Sequence, residues 1–373
     1  MKRALADKLR QKHSYFQQHP REAPTCFIGF DGFTDEIVSV VQTRSNPKKF
    51  TPFATIKEFG QRIQSAAGQS CNFELVIKQK KLGGNAPIMA NALLEGGHPV
   101  IFAGTIGTKE EIEPLFQPMA SRCMAVVPLG PSAHSDALEF HDGKIILGKL
   151  ATLDGVTYDH IINEIGKKQL VAWLDKSELF ACVNWTMLPM MTELWERLAE
   201  EIVPSLQRRD RILFVDLADP AKRTDGDLAR AMKALGTLKG HYRVILGLNK
   251  AEALRLGSVF QLTVKGHDSE GIKRLAADLR STIGCHQVVI HPTAFAVAAS
   301  ENDVWAVEGP FCPKPILTTG AGDNFNAGYC TGCLYGFTPQ ECLLTGVATS
   351  GYYVSHGHSP SMAQLTEFLT QWK

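Results

Sequence analysis

The sequence lacks the features that would place the protein in a membrane, on a nucleic acid or outside the cell. No apolar run approaches the roughly 18 residues that a membrane-spanning helix needs. The 39 Lys and Arg residues almost balance the 38 Asp and Glu residues, and a net charge of +1 gives no basic surface for nucleic acid or anionic lipid. Residues 1–10 are charged throughout, unlike a signal peptide, and the nine cysteines show no disulfide-framework spacing. We therefore expect a cytoplasmic protein that binds neither membranes nor nucleic acids.

The apolar content is sufficient for a large core. Hydrophobic residues make up 44% of the 373 residues, and no linker or repeat divides them, so we expect one domain over residues 1–373. Beyond residue 150, helices alternate with short apolar strands, which is the pattern of a parallel sheet covered on both faces. The predicted strands lie at 180–183, 212–215, 244–246 and 288–290, and one of the helices lies at 192–201.

The first 150 residues show a different pattern. A buried strand at 25–32, a helix at 86–94 and a strand at 99–104 fit the same α/β sheet. Antiparallel strands are predicted in addition, from about 31–45, 72–82 and 136–150, the last with an Asp-Gly hairpin turn. Segment 43–52 is polar and carries two prolines, so we expect it to be loose.

The most informative run is Thr-Thr-Gly-Ala-Gly-Asp at 318–323, which precedes a helix-compatible stretch. Small residues leave backbone N–H groups uncovered, and the helix adds the positive end of its dipole, so the run forms a cradle for an anion. Asp323 lies at the edge of that cradle, where a base would accept a proton during phosphoryl transfer. The same run is also compatible with a tight turn in which Asp323 serves only as a helix N-cap.

Three motifs resemble those of the ribokinase-like (PfkB) carbohydrate kinases and occur in the order found in that family. The run from Leu317 to Asp323 resembles its C-terminal signature, and Lys81–Ala90, with its Gly-Gly pair, resembles its N-terminal signature. Between them, Asn249-Lys250-Ala251-Glu252 fits the family's Asn-x-x-Glu motif. The resemblance spans most of the chain.

The resemblance implies a ribokinase-like α/β fold: a doubly wound, mostly parallel sheet with a small antiparallel β lid that covers the sugar and often forms a dimer contact. It implies ATP-dependent phosphotransfer to a hydroxyl of a sugar or sugar-like substrate, with ATP and Mg²⁺ as cofactors. Ligands are expected at the carboxyl ends of the parallel strands. A nucleoside kinase on the same scaffold and a non-catalytic sugar-binding sensor remain as alternatives.

Asp323 is the expected general base, and the backbone amides of Gly320, Ala321 and Gly322 are the expected anion hole, where only small residues let a phosphate approach. Asp31 and Asp35 follow the first strand, and one of them should bind sugar hydroxyls. The residues expected to line the same pocket are Gly83, Gly84 and Asn85.

Asn249 and Glu252 admit two interpretations. The resemblance implies that they organise Mg²⁺ and phosphate, often through water, whereas their spacing is also that of a helix capping box. Thr319 is expected at the nucleotide phosphates. Arg223 is either a clamp on a charged group or a solvated arginine.

Three positions depart from the family pattern. Ile88 stands where many members carry a sugar-binding asparagine, and Asn85 is the candidate to replace it. Leu317 replaces an aspartate that helps some members hold a monovalent cation, so we expect no potassium activation through this position. His291-Pro292 occupies the nucleotide loop, where proline has no N–H to donate.

Overall fold

The computed structural model describes residues 1–207, 210–264 and 266–372. The strands are β1 (Cys26–Phe30), β2 (Phe33–Asn46), β3 (Lys49–Pro52), β4 (Leu75–Gly83), β5 (Val100–Gly104), β6 (Ala125–Pro128), β7 (Ala133–Phe140), β8 (Gly143–Lys149), β9 (Leu179–Cys182), β10 (Arg211–Asp216), β11 (Tyr242–Leu248), β12 (Gln287–Ile290), β13 (Phe295–Ala299) and β14 (Val304–Glu308). The α-helices are α1 (Lys2–Gln18), α2 (Ile56–Ser65), α3 (Asn85–Glu95), α4 (Gln117–Ala120), α5 (Tyr158–Ile165), α6 (Lys167–Lys176), α7 (Met191–Arg197), α8 (Asp225–Leu238), α9 (Lys250–Val259), α10 (Ser269–Ile283), α11 (Ala321–Leu334), α12 (Pro339–His356) and α13 (Met362–Gln371).

A nine-stranded sheet forms the centre of the molecule, in the order β14-β13-β12-β11-β10-β9-β1-β5-β6. Every pair from β12 to β6 is parallel, and β13 and β14 add an antiparallel edge. The central strands are short runs of apolar residues that are buried throughout, because helices cover both faces of the sheet. The predicted doubly wound α/β architecture is therefore confirmed.

Two hydrophobic layers flank this sheet. Trp185, Trp195 and Leu228 belong to one layer, and Phe102 and Phe325 belong to the other. The N-terminal stretch forms an amphipathic helix, α1, which packs on α13 and contributes to the second layer. Among the described residues, no helix combines the length and the apolar character needed to cross a bilayer.

A second, five-stranded sheet contains β2, β3, β4, β7 and β8, and we call it the lid sheet. The predicted lid strands pair mostly antiparallel, as expected, but β2 pairs with β7 in parallel, so the lid sheet is mixed. Both strands continue outward from parallel strands of the central sheet, β1 and β6, and so they run in the same direction. The prediction that segment 43–52 is loose was wrong, since β2 extends to Asn46 and pairs with β3 as a hairpin.

Candidate active site

A cavity of about 320 Å³ lies where the lid sheet meets the carboxyl edge of the central sheet. Its walls come from both sheets and from the first turns of α3, α9 and α11. The lining residues are Phe33, Asp35, Ile37, Lys81, Gly84, Asn85, Ile88, Ser135, Ala137, Lys144, Ile146, Asn184, Met187, Asp216, Ala218, Asp219, Asn249, Glu252, His291, Thr319, Gly320, Gly322 and Asp323.

Five parallel strands each deliver one polar residue at or just after their carboxyl ends. These residues are Asp31 after β1, Asn184 after β9, Asp216 at the end of β10, Asn249 after β11 and His291 after β12. Carboxyl ends of parallel strands share one edge of the sheet, and ligands bind outside that edge. The sequence analysis missed Asn184 and Asp216 as site residues, although a polar residue directly after a buried apolar run was a usable signal.

Asp323 lies in the first turn of α11, with its carboxyl group facing the cavity. The N-cap of this helix is Gly320, and no side chain caps the helix, so the interpretation of Asp323 as a mere N-cap is not what the structure shows. Burial raises the pKa of the Asp323 carboxyl well above its ordinary value, and the negative charges of Asp216, Asp31 and Glu252 raise it further. A desolvated carboxylate with a raised pKa is a stronger base than an exposed aspartate.

The loop before Asp323 has the geometry of a tight anion cradle. Gly320 has φ +92°, and a Cβ there would lie 2.8 Å from the hydroxyl oxygen of Tyr353. The amide of Ala321 donates to the carbonyl oxygen of Thr318 at 3.1 Å, so this amide already has a partner within the loop. Gly320 and Gly322 line the cavity, and their amides have no protein acceptor in the described part of the chain.

The two aspartates after β1 occupy different places. Asp31 is fully buried and accepts hydrogen bonds from the amides of Asn85 (2.9 Å) and Ala86 (2.8 Å), at the first turn of α3, and from Asn184 Nδ2 (2.5 Å). Burial raises the pKa of Asp31 to about 6, against the lowering effect of these hydrogen bonds. Asp35 lines the cavity, and burial raises its pKa despite the nearby charge of Lys81.

The Gly-Gly pair permits both aspartates to sit where they do. A Cβ at Gly83 would lie 2.4 Å from the carboxyl group of Asp35, and a Cβ at Gly84 would lie 3.0 Å from Asp31 Oδ2. Gly84 also has φ +91° and is the N-cap of α3. Asn85 follows at the cavity wall and donates from Nδ2 to Asp216 Oδ1 at 3.3 Å.

Asn249 and Glu252 form a capping box at the start of α9 and also line the cavity, so the two interpretations of this motif are compatible. Glu252 Oε2 accepts from the Asn249 amide at 2.7 Å, and Oε1 accepts from Asn249 Nδ2 at 2.7 Å and from the Asp219 amide at 3.1 Å. Asp219 and Ala218 have φ values of +54° and +57°, which are uncommon outside glycine and concentrate at functional sites. Burial raises the pKa of the Glu252 carboxyl.

The donor set around Glu252 suits Mg²⁺. Mg²⁺ prefers oxygen ligands and retains several waters, and the nearby oxygen donors are the carboxylates of Glu252 and Asp216 and the amide oxygen of Asn249. A carboxylate has about four acceptor sites, and three N–H donors already contact Glu252. The Glu252 carboxylate is therefore held rigidly and can accept about one further contact. This fits a Mg²⁺ ion that is bound largely through water.

In the described part of the chain, Glu36, His134 and Asp136 form a group whose possible ligand atoms all lie within 4.8 Å of one another. It lies on the lid sheet but does not line the cavity. Lys80 pairs with Glu36 at 2.6 Å, and Lys149 pairs with Asp136 at 3.0 Å. These ammonium groups balance the carboxylates, so the group forms an ion-pair cluster on the lid sheet, with its carboxylates largely buried.

Two of the predicted residues have unexpected surroundings. Arg223 does not line the cavity; its guanidinium stacks over Trp185 at 4.5 Å and lies 3.6 Å from Asp227. Arg223 therefore does not share the cavity with the other residues predicted to bind nucleotide or phosphate. Ile88 lines the cavity and packs at the catalytic loop, where a Cβ at Gly320 would lie 3.2 Å from its Cδ1.

His291 contributes a neutral ring to the wall beside Gly322. Burial lowers the pKa of His291 to about 4, and its ring packs on Phe325 with centroids 4.6 Å apart. Nε2 is buried and has no hydrogen-bond partner among the described residues. The His291 amide donates to the carbonyl oxygen of Leu248 at 2.9 Å, and Pro292 has no amide proton.

Comparisons with known proteins identify the family and the fold. The family model described as prokaryotic ketohexokinase matches residues 10–372. A ketohexokinase from Haloferax volcanii is 26% identical over 343 residues, which cover 91% of this chain and 89% of that protein. Among solved structures, ribokinase from Arabidopsis thaliana, complexed with ribose and ATP, aligns with a TM-score of 0.66 at 14% identity, covering 93% of this chain and 98% of that one. Adenosine kinase from Sinorhizobium meliloti aligns with a TM-score of 0.63 at 17% identity, covering 94% and 99%. The solved structures show the ribokinase fold.

Proposed function

This chain belongs to the prokaryotic ketohexokinase family and is a carbohydrate kinase, and we propose that it transfers the γ-phosphoryl group of ATP to a hydroxyl of a ketohexose. The sugar class rests on the family description and on the Haloferax volcanii relative. The observation that carries the mechanism is the position of Asp323, whose buried carboxyl shares one cavity with Asp35 of the lid sheet and is not used as a helix cap.

In the proposed reaction, Asp323 accepts the proton of the acceptor hydroxyl as the oxygen attacks the γ-phosphorus. A bond forms between that oxygen and phosphorus, and the bond from phosphorus to the bridging oxygen breaks, leaving its electron pair on ADP. The amides of Gly320 and Gly322 face the cavity and stabilise the charge on the transferred group. The helix dipole of α11 acts in the same direction.

The sugar contacts are assigned to the lid side and to the start of α3. Asp35 accepts from sugar hydroxyls, and Asn85 donates to one while it remains oriented by Asp216. Asp31 positions the start of α3 by accepting hydrogen bonds from its first two amides. In the ribokinase family, the lid often forms a dimer contact, and we extend that arrangement to this lid sheet as part of the proposal.

Nucleotide and metal are assigned to the α9 and α11 side. Glu252 and Asn249 would hold Mg²⁺, largely through water, and Thr319 lies next to the proposed phosphate cradle. When bound, Mg²⁺ neutralises charge on the phosphates and orients them for in-line transfer. His291 forms the wall beside the cradle, in place of an amide-rich loop.

The test is a measurement of ADP release with Mg²⁺-ATP across ketohexoses, aldohexoses, pentoses, sugar acids and nucleosides. Ketohexose turnover that falls at least about 100-fold in Asp323→Asn, while calorimetry shows sugar binding retained, would support the proposal. Full activity of Asp323→Asn would remove the base assignment. Sugar binding without turnover of any substrate would favour a non-catalytic sensor.

Nucleosides belong in the panel because apolar side chains of Phe33, Ile37 and Ile146 line the lid side of the cavity and could pack on a base. Turnover of nucleosides but not of free ketohexoses would replace the proposed substrate class. The fold alone does not decide between the two, since one scaffold supports several substrates.

A further inference from the structure

Lys144 of the lid sheet reaches the catalytic loop. Its Nζ donates to Thr319 Oγ1 at 3.1 Å, and Thr319 directly precedes Gly320. Lys144 lies on β8 and Thr319 lies just before α11, so this hydrogen bond joins the lid sheet to the loop that precedes α11, and both residues line the cavity. The ammonium group therefore lies beside the proposed phosphate cradle rather than in solvent.

The charges around the cavity make this position important. Five carboxylic acids line the cavity, namely Asp35, Asp216, Asp219, Glu252 and Asp323. Phosphoryl transfer requires positive charge close to the transferred group. Among the described lining residues, the ammonium groups are those of Lys81 and Lys144, and burial holds His291 neutral.

The two lysines share nearby carboxylates but differ in their contacts. Asp35 is the leading opposite charge acting on Lys81, and the charge of Lys144 acts on Asp35 as well. Lys144 also donates to Thr319, in the loop that precedes α11. The ion pair of Lys144 is with Glu139, a neighbour on the lid sheet, at 3.7 Å. This separation exceeds that of a good charge-assisted hydrogen bond, so the ammonium group retains donors for another anion.

We propose that Lys144 is a catalytic residue that binds the γ-phosphoryl group during its transfer, an inference that rests on the proposed function. The ammonium group donates to a γ-phosphoryl oxygen opposite the Gly320 and Gly322 amides, and it stabilises the negative charge that the transition state spreads over those oxygens. Because the residue is carried by the lid sheet, the site is complete only when β8 lies over the catalytic loop. The lid thus supplies charge to the reaction as well as covering the sugar.

The strand itself provides a matched control. Successive side chains of a strand point to opposite faces, and Lys144 and Ile146 line the cavity. Lys149 lies on the other face of β8, where it pairs with Asp136 and is 69% exposed. Lys149→Ala removes an ammonium group from the same strand without touching the cavity.

The experiment compares Lys144→Ala, Lys144→Arg and Lys149→Ala with the unmodified protein, in ketohexose kinase assays and in calorimetric titrations with sugar alone. We expect kcat of Lys144→Ala to fall by about 100- to 1,000-fold, the typical cost of removing one transition-state donor. Sugar affinity should stay within about threefold, because the missing group acts on the phosphoryl side. Lys149→Ala should match the unmodified protein.

Rescue separates a catalytic role from a structural one. Ethylammonium chloride should restore part of the kcat of Lys144→Ala, whereas potassium chloride at equal ionic strength should not, and Lys144→Arg should retain more activity than Lys144→Ala. An unmodified protein that phosphorylates no ketohexose would refute the proposed function. An active protein whose Lys144→Ala variant keeps its kcat within about threefold would refute only the role of Lys144. Loss of activity that neither arginine nor ethylammonium restores would also refute it.

Discussion

Tyr353 fixes the loop that precedes Asp323 by donating its hydroxyl proton to the carbonyl oxygen of Thr319 at 2.8 Å. Tyr353 comes from α12, so the loop before Asp323 is held from the helix packed beside α11. The same hydroxyl group occupies the space that any side chain at position 320 would need. Tyr353 therefore both fixes the position of this loop and makes glycine necessary at position 320.

Gly320→Ala should lower kcat/KM by at least about 100-fold, because its Cβ would displace Tyr353 and distort the anion cradle. Gly336→Ala is the control, since Gly336 also has a positive φ of +73° but a Cβ added there would meet no heavy atom within 4 Å. Both variants should lose about 1 kcal/mol of unfolding free energy from backbone strain. Steady-state kinetics and chemical denaturation provide the comparison, and equal kcat/KM in the two variants would contradict this account.

Asp31→Ala and Asp35→Ala should separate stability from sugar binding. Asp31→Ala leaves two α3 amides and Asn184 without their acceptor, so we expect about 2 kcal/mol of unfolding free energy to be lost. Asp35→Ala should change stability by less than about 1 kcal/mol while raising the sugar KM at least about tenfold through a lost charged hydrogen bond. Denaturation curves and kinetics on both proteins test this, and the opposite pattern would assign sugar binding to Asp31.

Asp216→Asn should shift the acidic limb of the kcat/KM–pH profile to lower pH. The base must be unprotonated, so activity rises as pH passes through the pKa of Asp323, which burial and the charge of Asp216 both raise. Removing that charge lowers the pKa of Asp323. Asn326 can turn its amide to keep a hydrogen bond to the new side chain, because its Oδ1 has no partner among the described residues. If the acidic limb of the profile stayed in place or moved to higher pH, the charge of Asp216 would not be raising the pKa of Asp323.

Glu252→Gln should preserve the helix cap and weaken the metal site. The chain already uses a glutamine, Gln364, at the equivalent position in the capping box of α13. The glutamine oxygen can keep the contact to the Asn249 amide, but its NH₂ group then replaces Oε1, which accepts from Asn249 Nδ2 and from the Asp219 amide. We therefore expect a loss of about 1–3 kcal/mol of unfolding free energy and a roughly tenfold or greater rise in the Mg²⁺ concentration that gives half-maximal rate. Glu58→Gln, in the exposed capping box of α2, is the control and should leave both values unchanged. An identical Mg²⁺ dependence in both variants would limit Glu252 to a capping role.

Local pattern was sufficient for most of the fold and for the start of α11. Short apolar strands alternating with helices predicted the parallel sheet, because strands buried on both faces must be apolar throughout. The run at 318–323 predicted a helix N-terminus with an aspartate in its first turn, because small residues and the following helix are adjacent in the chain. The spacing of Asn249 and Glu252 predicted the capping box for the same reason.

Only the tertiary structure decided which side chains share the cavity. Residues 33, 35 and 37 of β2 face it while residue 36 faces the ion-pair cluster, and the alternation along a strand does not tell which face will be covered. Asp31 and Asp35, four residues apart, thereby acquire different surroundings. Lys144 and Thr319 meet although 175 positions separate them, because the packing of the lid sheet on the central sheet is set by long-range contacts. The sequence by itself determined the helices, the strands and the residue types of the loop at 318–323. The packing of the two sheets decided which charged side chains lie next to that loop.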